Sequence, residues 1–178
     1  MLLPLGPWGS SLAFGGDVLL FIYLLALARF ATVWAAMETG SAFEGMGSAR
    51  EVSYAIVSEA ATICVMLTLI VKTSSLSLGT MLSTSGGPGT ILLAAGLFTV
   101  LLAENCRVPF DDPNTHLELT MVHEAMILDY GGPDLGVISY TACLKLWLLS
   151  SLAVMTLLPI RSGDFLCDLL CHLCAMGL

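Results

Sequence analysis

Charge is what this sequence has least of. Only 11% of its 178 residues are Asp, Glu, Lys or Arg, against about 25% in soluble domains. That is too little to cover a water-facing surface, so a soluble globular domain is excluded. Basic residues are the scarcest: 6 Lys and Arg stand against 14 Asp and Glu, a net charge of -8. With no basic patch to meet phosphates, nucleic acid is excluded as a partner. Residues 1–16 contain no Lys or Arg. They lack the n-region of a secretory signal, so the first apolar run reads as a retained helix. Ten-residue segments of alternating hydrophobicity are missing too, which excludes a membrane β-barrel.

Several motifs are incomplete. Gly86-Gly87-Pro88-Gly89 has no Lys and no Ser/Thr at Walker spacing, so it reads as a turn rather than a phosphate cradle. His116 and His123 stand seven apart with acids nearby, but no HExxH-type metal spacing is present. Cys167, Cys171 and Cys174, with His172, have the spacing of some iron–sulfur sites. They sit in an apolar tail with nothing behind them to form a pocket, so neither group is read as a metal site. In a membrane chain the 6 cysteines are not a disulfide framework. Cys64, Cys106 and Cys143 read as small buried apolar residues.

What is present is apolar length. Hydrophobic residues make up 57% of the chain, mean hydropathy is +0.90, and several runs approach the ~20 residues a membrane helix needs. The fold class is all-α: a polytopic integral membrane protein of about four transmembrane helices, with a short amphipathic helix in an acidic loop. Residues 1–16 are a lead-in, 17–158 a single transmembrane domain, and 159–178 a tail with no structure assigned. The spans fall at about 17–37, 52–72, 90–106 and 136–158, with a polar loop at 38–51 and the acidic loop at 107–135.

The few charges stand in telling places. Arg29 lies mid-way along the first span, where an unpaired Arg costs at least ~2.5 kcal/mol on insertion scales. It therefore calls for a carboxylate partner, and so does Lys145 in the last span. Glu51, Ala55, Ser58, Glu59 and Thr62 share one face of the second span. Glu59 stands about 12 Å along the axis from Glu51, at 1.5 Å per residue. A carboxylate that deep is neutral or paired. Glu104 and Arg107, three apart at the end of the third span, can pair. Pro109 breaks that helix. Asp112 and Pro113 open the short amphipathic helix, which runs to about Leu128 with His116, Thr120, His123 and Glu124 on one side.

Lys and Arg divide evenly, Arg50 and Arg107 on one side of the membrane against Lys72 and Arg161 on the other, so charge bias does not set orientation. The two acidic loops share a side. Together Glu51, Glu59, Glu104, Asp111, Asp112, Glu118 and Glu124, with Arg29 and Lys145, describe a chain of protonatable groups entering the membrane, as in proton relays.

Two stretches carry a resemblance. One is residues 26–30 with residues 39–51, which include Glu44, Arg50 and Glu51. The other runs from Glu104-Asn105-Cys106-Arg107 through Asp111-Asp112-Pro113 and His116-Leu117-Glu118-Leu119-Thr120-Met121 to His123-Glu124 and Asp129-Tyr130. Over about residues 15–158 the chain resembles the membrane-anchor subunit of formate hydrogenlyase and related membrane-bound nickel–iron hydrogenases. That subunit is the counterpart of the quinone-site membrane subunit of respiratory NADH–quinone oxidoreductase. Asp112, His116 and His123-Glu124 favour the hydrogenase branch, and Phe110 looks more like the other.

The resemblance implies a non-catalytic subunit of the prokaryotic cell membrane, holding no cofactor itself. Its acidic loops would face the cytoplasm, and Glu38, Glu44, Arg50, Arg107, His116, His123 and Asp129 would dock a peripheral arm. Hydrogenase large and small subunits and a ferredoxin-like subunit would carry the nickel–iron centre and iron–sulfur clusters. An antiporter-like subunit would adjoin in the bilayer, and the redox step would drive proton or sodium translocation. The alternatives are the quinone-site subunit, a stand-alone ion transporter and a non-functional fragment. Family members have about eight helices, so the chain reads as truncated at both ends, and its tail after Pro159 does not resemble the family.

Overall fold

The computed structural model describes residues 13–83, 87–107 and 122–157, with the backbone alone at Pro88. Among these described residues six helices follow in order: α1 (Asp17–Glu38), α2 (Ala42–Thr73), α3 (Leu78–Ser83), α4 (Pro88–Glu104), α5 (His123–Met126) and α6 (Gly132–Leu157). No strand occurs among the described residues. The chain is an all-helical membrane protein. Helices α1, α2 and α6, of 22, 32 and 26 residues, are long and apolar enough to cross a bilayer. Helix α4 is apolar but shorter.

Each helix end has a local cause. Gly16 takes φ 113 ahead of α1, and Asp17 stands in its first turn, where a carboxylate complements the helix dipole. Gly40, at φ 69, turns the chain between α1 and α2. Ser74 ends α2 in the left-handed conformation, its N–H returning to Ile70 O at 2.7 Å. Pro133 and Asp134 occupy the first turn of α6, positions that suit a missing N–H and a negative charge.

Three boundaries differ from the sequence expectation. The loop expected at 38–51 shrinks to three residues, because α2 begins at Ala42 rather than near 52. The glycines there suggest a loop, but Gly47 is a packing position. A Cβ on it would lie 3.0 Å from both Val122 O and Ala125 Cβ. Its hydrogen side chain lets α5 settle on α2. Helix α4 stops at Glu104, two residues early, and α6 starts at Gly132, four residues early. Of the amphipathic helix expected from Pro113 to about Leu128, residues 113–121 lie outside the described residues. The remainder is the four-residue α5 followed by a turn.

Helix α2 is central, packing against α1, α3, α4 and α5, while α4 packs against α6. Helices α1 and α6 meet only sparsely. The apolar core gathers where α1 begins and α2 ends, and includes Val18, Phe21, Met66, Leu69, Met81 and Leu152. At that end Asp17 is fully buried. It accepts the Leu78 N–H at 2.7 Å and the Ser77 hydroxyl at 3.3 Å, so it caps α3 from another helix. Tyr23, Leu27, Phe30 and Trp34 of α1 and Ile56, Val57 and Val71 of α2 point outward. A helix apolar all round belongs in a core or a membrane.

Candidate functional site

The second half of the bundle is organised around Arg29. Side chains lean toward the N-terminus of their own helix. Helices α1 and α2 run antiparallel through a three-residue turn, so Arg29 leans away from that turn and Glu59 leans toward it. Arg29 Nη1 donates to Glu59 Oε1 at 2.7 Å, and Nη2 donates to Glu104 Oε1. Its Nε stands 3.9 Å from Glu51 Oε1, beyond hydrogen-bond range, and is buried with no acceptor.

The other oxygen of Glu104 meets Lys145 Nζ at 2.9 Å, and the Ser58 hydroxyl donates to Glu104 Oε1 at 2.5 Å. The Cys106 thiol donates to Glu51 Oε2 at 3.3 Å. Side chains of Arg29, Glu51 and Glu104 are 7% exposed, Lys145 23% and Glu59 44%. With all five ionised, three carboxylates against two cations leave one negative charge.

Helix α4 completes the arrangement by stopping there. Cys106, at φ 45, leaves the helix in the left-handed conformation. Its N–H bonds to Ala103 O at 3.3 Å, and Arg107 N–H bonds to Leu102 O at 3.0 Å. This is the paired C-terminal cap that usually recruits glycine. It turns Arg107 off the helix, so the expected Glu104–Arg107 pair is absent among the described ion pairs. The negative end of the α4 dipole thereby faces Arg29 and Lys145, each near the midpoint of its own helix.

Beside the cluster lies a cavity of about 650 Å³ between α1 and α6, lined at one end by Arg29, Glu51, Glu104, Cys106, Lys145, His123 and Glu124. Phe21, Leu25, Trp147 and Leu148 make its apolar end. Glu59 is not part of this lining.

A second polar group ties the α1–α2 turn to the α5–α6 connection. Glu44 is fully buried. It accepts the Thr39 hydroxyl and, at 3.0 Å, the Asp129 N–H. Tyr130 donates its phenol to Ala35 O at 2.8 Å. Burial, and then the Glu44, Glu38 and Asp134 carboxylates, hold the Tyr130 phenol above its ordinary value of 10.0.

The residues singled out in the sequence thus divide. Arg29, Glu51, Glu59, Glu104 and Lys145 come together. Glu38, Arg107, Glu124 and Asp129 are exposed, and Arg50 and His123 half-buried. Glu44, expected on a docking face, is inside the fold. Asp111, Asp112, His116 and Glu118 lie outside the described residues, as do Cys167, Cys171, His172 and Cys174. Cys64 and Cys143, expected to be buried, are exposed; on apolar helices they face outward. Sequence reasoning assigned no partners to Asp17, Tyr130 or the Cys106 thiol. The signal for Asp17 was a lone acid opening an apolar run. Among the described residues no group of three or more His, Cys, Asp or Glu is placed to hold a metal ion.

A family profile described as NADH dehydrogenase matches residues 1–174. The chain belongs to the NADH dehydrogenase family. The match extends beyond residues 15–158 and takes in most of the tail, so the expectation that the tail does not resemble the family is corrected. Within this family the chain is similar to hydrogenase-4 component C of Escherichia coli (strain K12), 32% identical over 165 residues, covering 89% of this chain and 51% of that protein. It is also similar to formate hydrogenlyase subunit 4 of the same organism, 26% identical over 164 residues, covering 88% and 52% respectively. The chain spans about half the length of these curated relatives.

Proposed function

We propose that this chain is a non-catalytic membrane subunit of a membrane-bound hydrogenase complex of the formate hydrogenlyase type, coupling that complex's redox step to proton movement. The names of the two relatives support the hydrogenase branch over the quinone-reductase branch. The observation that carries the coupling role is Arg29 set among Glu51, Glu59 and Glu104, with Lys145 on Glu104. Carboxylates packed against cations at low exposure interact strongly, so the site responds to any charge brought near it.

In this reading residues 17–158 form one membrane-spanning unit in a prokaryotic cell membrane. The end bearing exposed Glu38, Glu124 and Asp129 faces the cytoplasm and docks the peripheral arm. Partner subunits, large, small and ferredoxin-like, hold the nickel–iron and iron–sulfur centres, and an antiporter-like subunit adjoins in the bilayer. A charge change in the arm shifts the proton balance of the cluster, and the cavity gives protons a way in.

The test is affinity purification of the tagged chain from its native host in mild detergent, followed by mass spectrometry. Recovery of a hydrogenase large subunit with ferredoxin-like subunits is the expected result. Recovery of quinone-reductase subunits instead, or of the chain alone, sinks the proposal. In the intact complex, Glu59→Gln and Glu104→Gln should lower proton translocation per turnover more than turnover itself.

A further inference from the structure

We infer that the outer face of α2 around Glu59 is an interface with a neighbouring subunit, whose transmembrane helix brings a Lys or Arg side chain to Glu59. The inference rests on the reading of the chain as a subunit of a membrane complex, and it names the face and the chemistry of the contact.

Glu59 lies deep. At 1.5 Å per residue it stands about 26 Å from Ala42 at the start of α2 and about 21 Å from Thr73 at its end. Arg29, which donates to it at 2.7 Å, is near the midpoint of α1. The carboxylate is therefore at mid-bilayer depth. Its short side chain does not reach the headgroups, about 15 Å away on either side of a ~30 Å slab. Yet 44% of it is exposed, against 7% for Glu51 and Glu104. Lipid tails offer no hydrogen bond, and ionisable groups inside a membrane almost always face protein or water.

The charges say what kind of group is missing. Glu59 Oε1 takes Arg29, and no hydrogen bond from the described residues reaches Oε2. Arg29 is shared with Glu104, so three ionised carboxylates stand against two cations. A hydrogen-bond donor alone would leave that excess charge in a medium where unpaired charge is costly. Glu51 and Glu104 are sealed inside the bundle, so Glu59 is the member of the cluster that a cation from outside can touch.

The surroundings suit a helix. Val52, Ile56, Ile63 and Leu67 are exposed and fall with Glu59 at i, i+4, i+7, i+11 and i+15, one face of α2. That stripe is about 23 Å long at 1.5 Å per residue, the contact length of a helix crossing most of the bilayer. Lipid covers the aliphatic side chains as well as a helix does, but it leaves Glu59 unmatched.

Photo-cross-linking in the native complex tests the interface. A benzoylphenylalanine replaces Ile56 or Ile63, one turn to either side of Glu59, in the tagged full chain in its native host. Linked peptides are then sequenced by mass spectrometry. Leu92, exposed on α4, is the control position. The expected result is a link from Ile56 and Ile63, and not from Leu92, to one transmembrane helix of another subunit, with a Lys or Arg within about two turns of the linked residue. Glu59→Lys should then lower recovery of that subunit at least about tenfold, because like charges facing each other select against a partner. Changing the partner's cation to Glu in the same strain should restore it. Glu59→Lys also opposes Arg29, so the links, made with Glu59 intact, decide the matter where that variant does not accumulate. Links to lipid alone, to a second copy of this chain, to a helix with no cation near the linked residue, or equally from Leu92 overturn the inference. So does a Glu59→Lys chain that accumulates and keeps its partners in full. A cationic helix from a quinone-reductase subunit removes the proposed function and leaves this interface standing. Hydrogenase subunits recovered with links to lipid alone do the reverse.

Discussion

Arg29 and Lys145 hold opposite oxygens of the one Glu104 carboxylate. Their helices, α1 and α6, meet each other only sparsely. The last residue of α4 is therefore the bridge between them, and its removal takes the carboxylate from Lys145 and leaves Arg29 bonded to Glu59 alone.

Glu104→Gln should destabilise the chain by about 3 kcal/mol or more, since breaking a buried pair leaves an uncompensated charge. Lys145→Met should cost less, because Glu104 keeps Arg29 and Ser58. Thermal unfolding in one detergent ranks the two. Equal melting shifts contradict the bridging role.

Gly47 and Gly45 provide a matched pair on one helix. A Cβ at Gly47 meets Val122 O and Ala125 Cβ at 3.0 Å, and one at Gly45 meets nothing within 4 Å. Gly47→Ala should destabilise by about 1–3 kcal/mol through overpacking. Gly45→Ala should stabilise by roughly 0.5–1 kcal/mol through helix propensity. Opposite signs in melting temperature are the expected outcome.

Asp17→Ala removes the acceptor for the Leu78 N–H and the Ser77 hydroxyl. A lost cap costs about 1 kcal/mol. The effect should appear locally, as faster proteolysis between α2 and α4. Asp17→Asn keeps an acceptor and should behave nearer to the parent. Unchanged proteolysis in Asp17→Ala removes the capping role.

Tyr130 yields a pH dependence. Its phenol lies above 10.0 in the fold, so the neutral form is favoured when folded. That contribution is whole below 10.0 and is lost as pH rises through the higher folded value. Alkaline melting should therefore steepen above 10.0 in the parent. Tyr130→Phe should lack that limb, and Glu44→Gln should bring the phenol's ultraviolet titration closer to the ordinary value.

The cluster's members were legible because charges in apolar runs are conspicuous. Arg29 and Lys145 each stood alone among aliphatic residues, and Glu59 fell on the face of Glu51. Which acid served which cation was not legible. That depends on where α4 stops, and Cys106 in a left-handed cap carries no sequence signal comparable to glycine. The i,i+3 spacing of Glu104 and Arg107 misled for that reason. The start of α2 was hidden because glycine serves both as a breaker and as a point of close approach, and only the position of Val122 and Ala125 separates the two at Gly47. Outward and inward apolar residues look alike where lipid replaces water, so Cys64 and Cys143 could not be placed.

Helix α4 spans 17 residues, about 26 Å at 1.5 Å per residue, while the hydrocarbon slab of a typical bilayer is about 30 Å thick. Its neighbours α1, α2 and α6 exceed that thickness, so one bilayer must suit helices of unequal length. Glu104 ends α4 beside Arg29 and Lys145, which stand near the midpoints of α1 and α6. The short helix therefore ends at mid-bilayer depth, where no water is at hand for its last carbonyls. The cations of the two neighbouring helices stand where that water would otherwise be.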